Sequence, residues 1–214
     1  MTTTVHVVRH GEVHNPAGVL YGRLPDYHLS DLGRAMAERI AQWAAGRDIT
    51  ALVSSPLERA RETIAPVASA VGIAPGVDAR LIEAANVFEG QRFGVGDGAL
   101  RQPSAWWHLR NPFRPSWGEP YDVIAARMLA AIEDAAAAAE GHEALVVSHQ
   151  LPIWTARNAA EGKRLWHDPR ARQCSLASVT SFVVDDAQIS GVSYAEPAGD
   201  LVPMKPGRRF RAGA

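Results

Sequence analysis

Three short β-branched runs, each breaking off in a polar residue, constrain this chain more than any other feature. Val5, Val7 and Val8 stop at Arg9 and His10; "ITALVSS" covers 49 to 55; "ALVVSHQ" covers 144 to 150. Runs this short and this apolar are strands buried on both faces. Helical signals lie between them. Ser30 starts a helix to about Ala45, with Leu32, Met36, Ile40 and Trp43 at helical spacing and Gly46 after them. "SPLE" predicts a second helix, with Ser55 as N-cap, Pro56 at the first position and Glu58 completing a capping box. Ala60, Ile64, Val67, Ala68 and Val71 form its apolar stripe, and Gly72 stops it.

"GVDARLIE" (76 to 83) reads as a further short strand. Pro120 opens an alanine-rich helix to about Glu140, with Ile124, Met128, Ala131, Ile132 and Ala135 inward. A helix follows 144 to 150, with Pro152 early and Gly162 after it. The next segment reads as a hairpin turning near Asp185 and Asp186. Strands alternating with helices predict a three-layer α/β/α sandwich with a largely parallel central sheet and the closing strands at an edge. Ligands of such sheets sit at the carboxyl ends of the strands. His10, Arg59 and His149 all fall there. Gly11 would allow the sharp exit that turns His10 toward a pocket.

The stretch 84–119 breaks the pattern with glycines, prolines and the cluster Trp106, Trp107 and Trp117. It reads as a lid-like insertion in a single domain spanning 1–202, with 203–214 a flexible basic tail. Trp106, Trp107, Phe113 and Trp117, with Arg92, Arg101, Arg110 and Arg114, would give a lid aromatic and cationic faces for a substrate. The competing reading is a satellite cluster that pins a long loop, with solvated arginines.

A formal net charge of -1 gives no reason to expect nucleic acid or an anionic membrane as partner. Cys174 stands alone, so no internal disulfide is possible, which fits a reducing compartment. The start "MTTT" runs directly into a strand and no apolar stretch is bilayer-long, so a cytoplasmic protein is expected. His14, His28, His108, His142 and His167 include no pair at metal-ligand spacing, so no metal or other cofactor is expected. The only lysines are Lys163 and Lys205. That bias is compatible with a GC-rich genome, and it also suits bidentate anion binding.

Two histidines and two arginines at one rim suit phosphoryl chemistry. Arg9 and Arg59 offer bidentate contacts to phosphoryl oxygens, and Arg59 lies beside a helix N-terminus, itself an anion site. One neutral imidazole attacks phosphorus while the other donates hydrogen bonds, and positive neighbours favour the neutral form.

The segments "VVRHGEVHN", "SSPLERARET" and "VVSHQ" resemble the three signatures of the histidine phosphatase superfamily, with its phosphoglycerate mutase-like fold. "YGRLPDYHLSDLG", "LIEAANVFEGQ" and "WGEP" resemble its intervening segments, in the same order. The resemblance implies that His10 becomes phosphohistidine. It implies that Arg9, Arg59 and His149 bind the phosphoryl oxygens and that Glu83 acts as acid and then base. Glu12 would position the pocket, Arg23 would sit at its mouth, and Asn15 would be a further phosphoryl contact. Trp106, Trp107 and Arg110 join Arg23 at the expected mouth.

Some positions depart from the family pattern. Val13 replaces a usual threonine, and Asn15 falls one residue early. The spacing after Glu83 is one residue short, which leaves Glu89 as a rival acid, with Glu83 favoured. Gln150 replaces a glycine common in the family. Its side chain would narrow the pocket or contact the substrate, and it is placed with the phosphate-binding set.

The expected function is a metal-independent phosphomonoester hydrolase acting on a small phosphorylated metabolite, as a monomer or homodimer. A phosphoglycerate mutase-type transferase is the lesser enzyme alternative, since the longer insertion and sugar-acid pocket of such mutases have no convincing match. A silent phospho-ligand binding module is the third. The intact set Arg9, His10, Arg59, Glu83 and His149 argues against it.

Overall fold

The computed structural model describes residues 1–92 and 117–202. A six-stranded sheet forms its centre: β1 (Thr3–Arg9), β2 (Ile49–Ser54), β3 (Gly76–Val77), β4 (Glu143–Ser148), β5 (Val179–Asp185) and β6 (Gln188–Ala195), in the order β3-β2-β4-β1-β5-β6. β4 is the middle of the parallel part, paired with β1 on one side and β2 on the other. β5 and β6 close one edge antiparallel. Their two-residue turn, Asp186 and Ala187, takes positive φ at both positions, as tight hairpins require.

Helices α1 (Asp31–Ala44) and α2 (Glu58–Val71) cover one face, and α3 (Tyr121–Ala138) and α4 (Gln150–Ala160) cover the other. β4 shows why its sequence is apolar without alternation. Leu145 and Val147 pack with Met36, Ile40 and Ile64 of α1 and α2. Ala144 and Val146 pack with Ile124, Met128 and Ile132 of α3. A parallel strand between two helical layers has no solvent face to make polar. The predicted three-layer sandwich is the observed one. Among the described residues no helix is long and apolar enough to cross a membrane.

Two local expectations are corrected, and the role of Gly11 is made specific. The helix expected from Ser55 starts later: Leu57 is the N-cap of α2 and makes no side-chain cap bond. The Ser55 hydroxyl instead meets Nε2 of His149 at 2.8 Å, a partner 94 residues away. "GVDARLIE" is a strand only at its first two residues. Asp78 then accepts the Arg80 N–H and caps a short 3₁₀ turn, Ala79–Leu81. Gly11 does not adopt positive φ. A Cβ there would lie 2.6 Å from the Gly33 carbonyl oxygen, and one on Gly33 would lie 2.0 Å from that of Glu12. The glycine pair lets the first turn of α1 press against the loop after β1.

Residues 93–116 of the expected 84–119 lid, and the tail 203–214, lie outside the described residues.

Candidate active site

The site is built from strand exits. At the end of β1 the main chain is clamped on several sides. Arg9 N–H donates to the Ser178 carbonyl at 3.0 Å, His10 N–H to Ser148 at 3.1 Å, and Gly11 N–H to the Thr63 hydroxyl at 3.1 Å. The Thr63 hydroxyl in turn donates to the Arg59 carbonyl, 2.7 Å. The exits of β1 and β4 and the first turns of α2 are thus one hydrogen-bonded unit.

His10 is 2 % exposed, and its Nδ1 lies 2.8 Å from the Gly11 carbonyl. A carbonyl only accepts, so Nδ1 carries the proton and Nε2 keeps its lone pair. Burial first, then the charges of Arg59 and Arg9, hold the imidazole well below its ordinary pKa. The ring is therefore neutral near pH 7, in the tautomer of a nucleophile.

The His149 ring centroid lies 5.1 Å from that of His10, and its pKa is likewise depressed by burial and then by Arg59. Ser55 Oγ accepts the Leu57 N–H at 3.5 Å, and among the described residues its own proton has no acceptor but Nε2 of His149. His149 then bears its proton on Nδ1, a buried donor with no hydrogen-bond partner.

Arg9 and Arg59 are held in the same incomplete way. Arg9 Nη1 donates to the Cys174 carbonyl at 2.7 Å, and its buried Nε has no partner. Arg59 is fully buried; Nη2 donates to the Gly22 carbonyl at 2.6 Å, and Nε and Nη1 have no partner. The Tyr21 ring lies 4.8 Å from the Arg59 guanidinium. Four unmatched donors around a lone-pair nitrogen are what a phosphoryl group would satisfy. Buried donors normally have partners, so their coincidence marks a ligand site.

Glu83 follows the 3₁₀ turn that Ser148 pins by donating its hydroxyl to the Leu81 carbonyl, 2.7 Å. Burial raises its carboxyl above the ordinary carboxylate pKa, against the Ala84 N–H and the charges of Arg59, Arg172 and Arg9. Glu89, the rival, accepts the N–H of Asn86 in its own loop at 3.2 Å. Its carboxylate lies against Gly22, where a Cβ would come within 2.3 Å of Oε1.

Glu12 accepts the Ser30 hydroxyl at 2.7 Å and so ties the loop after β1 to the cap of α1. Arg23 donates from Nε to the Glu83 carbonyl at 2.6 Å and lines an open groove with Asn86, Glu89 and Glu119. Asn15 is placed differently from the expectation. Its Nδ2 donates to the Val19 carbonyl and its Oδ1 accepts the Val19 N–H, so both amide ends close the 15–19 loop. Gln150 bridges rather than projects: Nε2 donates to the Cys174 carbonyl at 3.3 Å, and Oε1 faces Arg172 at 3.5 Å. Trp106, Trp107 and Arg110 lie outside the described residues.

Ser55, Tyr21 and Arg172 carry no sequence signal of their site roles, because their contacts are long-range and no local spacing marks them. Ser55 and Tyr21 lie inside recognised segments and Arg172 outside them, and only the folded arrangement shows their contacts with His149, Arg59 and Gln150.

The chain is 59% identical over 196 residues to an uncharacterised protein of Mycobacterium tuberculosis, Rv0525, covering 92% of this chain and 97% of that one. A metal-independent phosphoserine phosphatase of Arabidopsis thaliana is 29% identical over 153 residues, covering 69% of this chain and 64% of that protein. The solved structure of Bacillus stearothermophilus YhfR superposes with a TM-score of 0.73 at 26% identity, covering 87% of this chain and 94% of that one. The model of the histidine phosphatase superfamily, branch 1, matches residues 5–197, and the chain belongs to that family.

Proposed function

We propose that the chain is a metal-independent phosphomonoester hydrolase that works through a phosphohistidine at His10. The observation that carries this reading is the tautomer of His10: Nδ1–H on the Gly11 carbonyl, and Nε2 free beside unmatched donors of Arg9, Arg59 and His149. The Nε2 lone pair forms the N–P bond as the P–O ester bond breaks. Glu83, which burial makes hold its proton to higher pH than an ordinary carboxyl, gives that proton to the leaving oxygen. Its carboxylate then takes a proton from water, which attacks phosphorus. The N–P bond breaks, inorganic phosphate leaves and His10 returns neutral. The two guanidiniums and the Nδ1–H of His149 hold the three phosphoryl oxygens through both steps. The name of the Arabidopsis relative is in keeping with hydrolysis, while a Yersinia pestis relative 29% identical over 188 residues is named a probable phosphoglycerate mutase, so the choice rests on the phosphate-release test.

The test is release of phosphate from para-nitrophenyl phosphate with chelator present. Wild type should turn over, and His10→Ala should lose about 10^4-fold or more in kcat. A base-stable, acid-labile phosphoryl label should appear in wild type alone. Equal rates in the two proteins, or loss of wild-type activity with chelator, would sink the reading.

A further inference from the structure

Arg172 lies in the loop between α4 and β5, outside every recognised segment. It is half-buried and held on one side by a histidine. His167 Nδ1 donates to the Leu165 carbonyl at 2.6 Å, so its Nε2 is an acceptor, and Arg172 Nε donates to it at 2.8 Å. Burial, and then the charge of Arg172, push the His167 pKa down to about 4, so it remains an acceptor at ordinary pH. The rings of Tyr121 and Trp154 flank His167 at 5.6 and 6.0 Å.

On its other side Arg172 reaches the phosphoryl cradle through one residue. Nη1 faces Gln150 Oε1, and Gln150 donates to the Cys174 carbonyl that also accepts Arg9. Glu83 and Arg9 are both within its electrostatic reach. Yet among the described residues no carboxylate lies within ion-pair distance of Arg172, and its Nη2 has no hydrogen-bond partner. By contrast Arg80, Arg127 and Arg157 each have a carboxylate within that distance. A guanidinium taken partly out of water and oriented by a neutral acceptor keeps its whole charge for something else. The Gln150 link puts that charge at the edge of the phosphoryl cradle, within electrostatic reach of Glu83, the residue proposed to protonate the leaving group.

We propose that Arg172 is a specificity-determining residue that binds a second acidic group, a carboxylate or a second phosphate, on the leaving part of the substrate. This rests on the hydrolase reading above. Affinities would be measured by calorimetry on His10→Ala protein, which cannot turn substrate over, with and without Arg172→Gln. Two probe pairs differ in a second acid: 3-phosphoglycerate against sn-glycerol 3-phosphate, and fructose 1,6-bisphosphate against fructose 6-phosphate. With Arg172 present, the acidic member of one pair should bind about tenfold tighter or more, the scale of a charge-assisted bond. Arg172→Gln should bring that ratio below about twofold. The pair that responds tells carboxylate from phosphate.

A merely structural arginine would weaken both members of a pair together and leave the ratio unmoved. His167→Gln, which keeps an acceptor, should retain more of the preference than His167→Phe. No preference in either pair, or a preference that survives Arg172→Gln, would overturn the proposal while leaving the cradle intact. If inorganic phosphate itself fails to bind, the cradle reading falls, and this one with it.

Discussion

Two groups of arginines lie close to Glu83 and are treated in opposite ways. In the cradle, Arg9 and Arg59 each give one N–H to a main-chain carbonyl, of Cys174 and Gly22, and keep other donors unmatched. Beside it, Glu119 accepts from Arg23 at 2.9 Å and from Arg127 at 2.8 and 3.0 Å. A carbonyl fixes a guanidinium without neutralising it, whereas a carboxylate does both. The cradle therefore retains positive charge for a ligand, and the Glu119 cluster has already used its own. Buried donors without partners are costly, and an anion bound among them would remove that cost.

The largest effect that tests this contrast is expected at Arg59. Arg59→Lys keeps the charge but loses the planar fork that meets Gly22 and would meet the phosphoryl oxygens at the same time. Steady-state kinetics should show kcat/KM for para-nitrophenyl phosphate falling by about 10^2 to 10^3-fold. A loss below tenfold would mean that charge alone matters, and the unmatched donors would lose their meaning.

Next comes Glu83. His10 is depressed, so the nucleophile stays neutral below the ordinary imidazole range. Glu83 is raised, so the acid stays protonated above the ordinary carboxylate range. The profile of kcat/KM against pH should therefore peak on the acid side of neutrality, rising as His10 deprotonates and falling as Glu83 does. Glu83→Gln should remove the descending limb. It should lower kcat/KM by about 10^2-fold for an alkyl phosphate, and by less for para-nitrophenyl phosphate, whose leaving group needs little protonation. An unchanged profile in the variant would move the acid to Glu89.

The parts of this site that were legible in the sequence are those made by one strand and its exit. A buried parallel strand must be apolar until it stops, so Arg9, His10 and His149 announce themselves by ending the run. What escaped was made between segments. Ser55 has the local pattern of a capping box, but the His149 ring competes for its hydroxyl from another strand. Asn15 matches a family position shifted by one residue, and the shift leaves its amide to close a loop. Arg172 stands in no periodic or motif-bearing stretch, and only the turn of the chain after α4 brings it to Gln150. Spacing reports neighbours along a chain; these contacts run between parts of the chain that spacing does not connect.

The smallest effect should come from the paired cluster. Glu119 has a side chain only 12% exposed, so its bonds to Arg23 and Arg127 are poorly screened by solvent. Glu119→Gln leaves two partly buried cations facing a neutral amide and should cost about 1–3 kcal/mol of stability. At about 2–4 °C per kcal/mol for a domain of this size, thermal denaturation would register it. Activity should change by no more than about fivefold, because Arg23 still holds the Glu83 carbonyl through its own Nε. A loss as large as that of Arg59→Lys, with the fold intact, would make Arg23 part of the cradle. The presence of a carboxylate partner would then no longer separate arginines that hold the fold from arginines that hold the ligand.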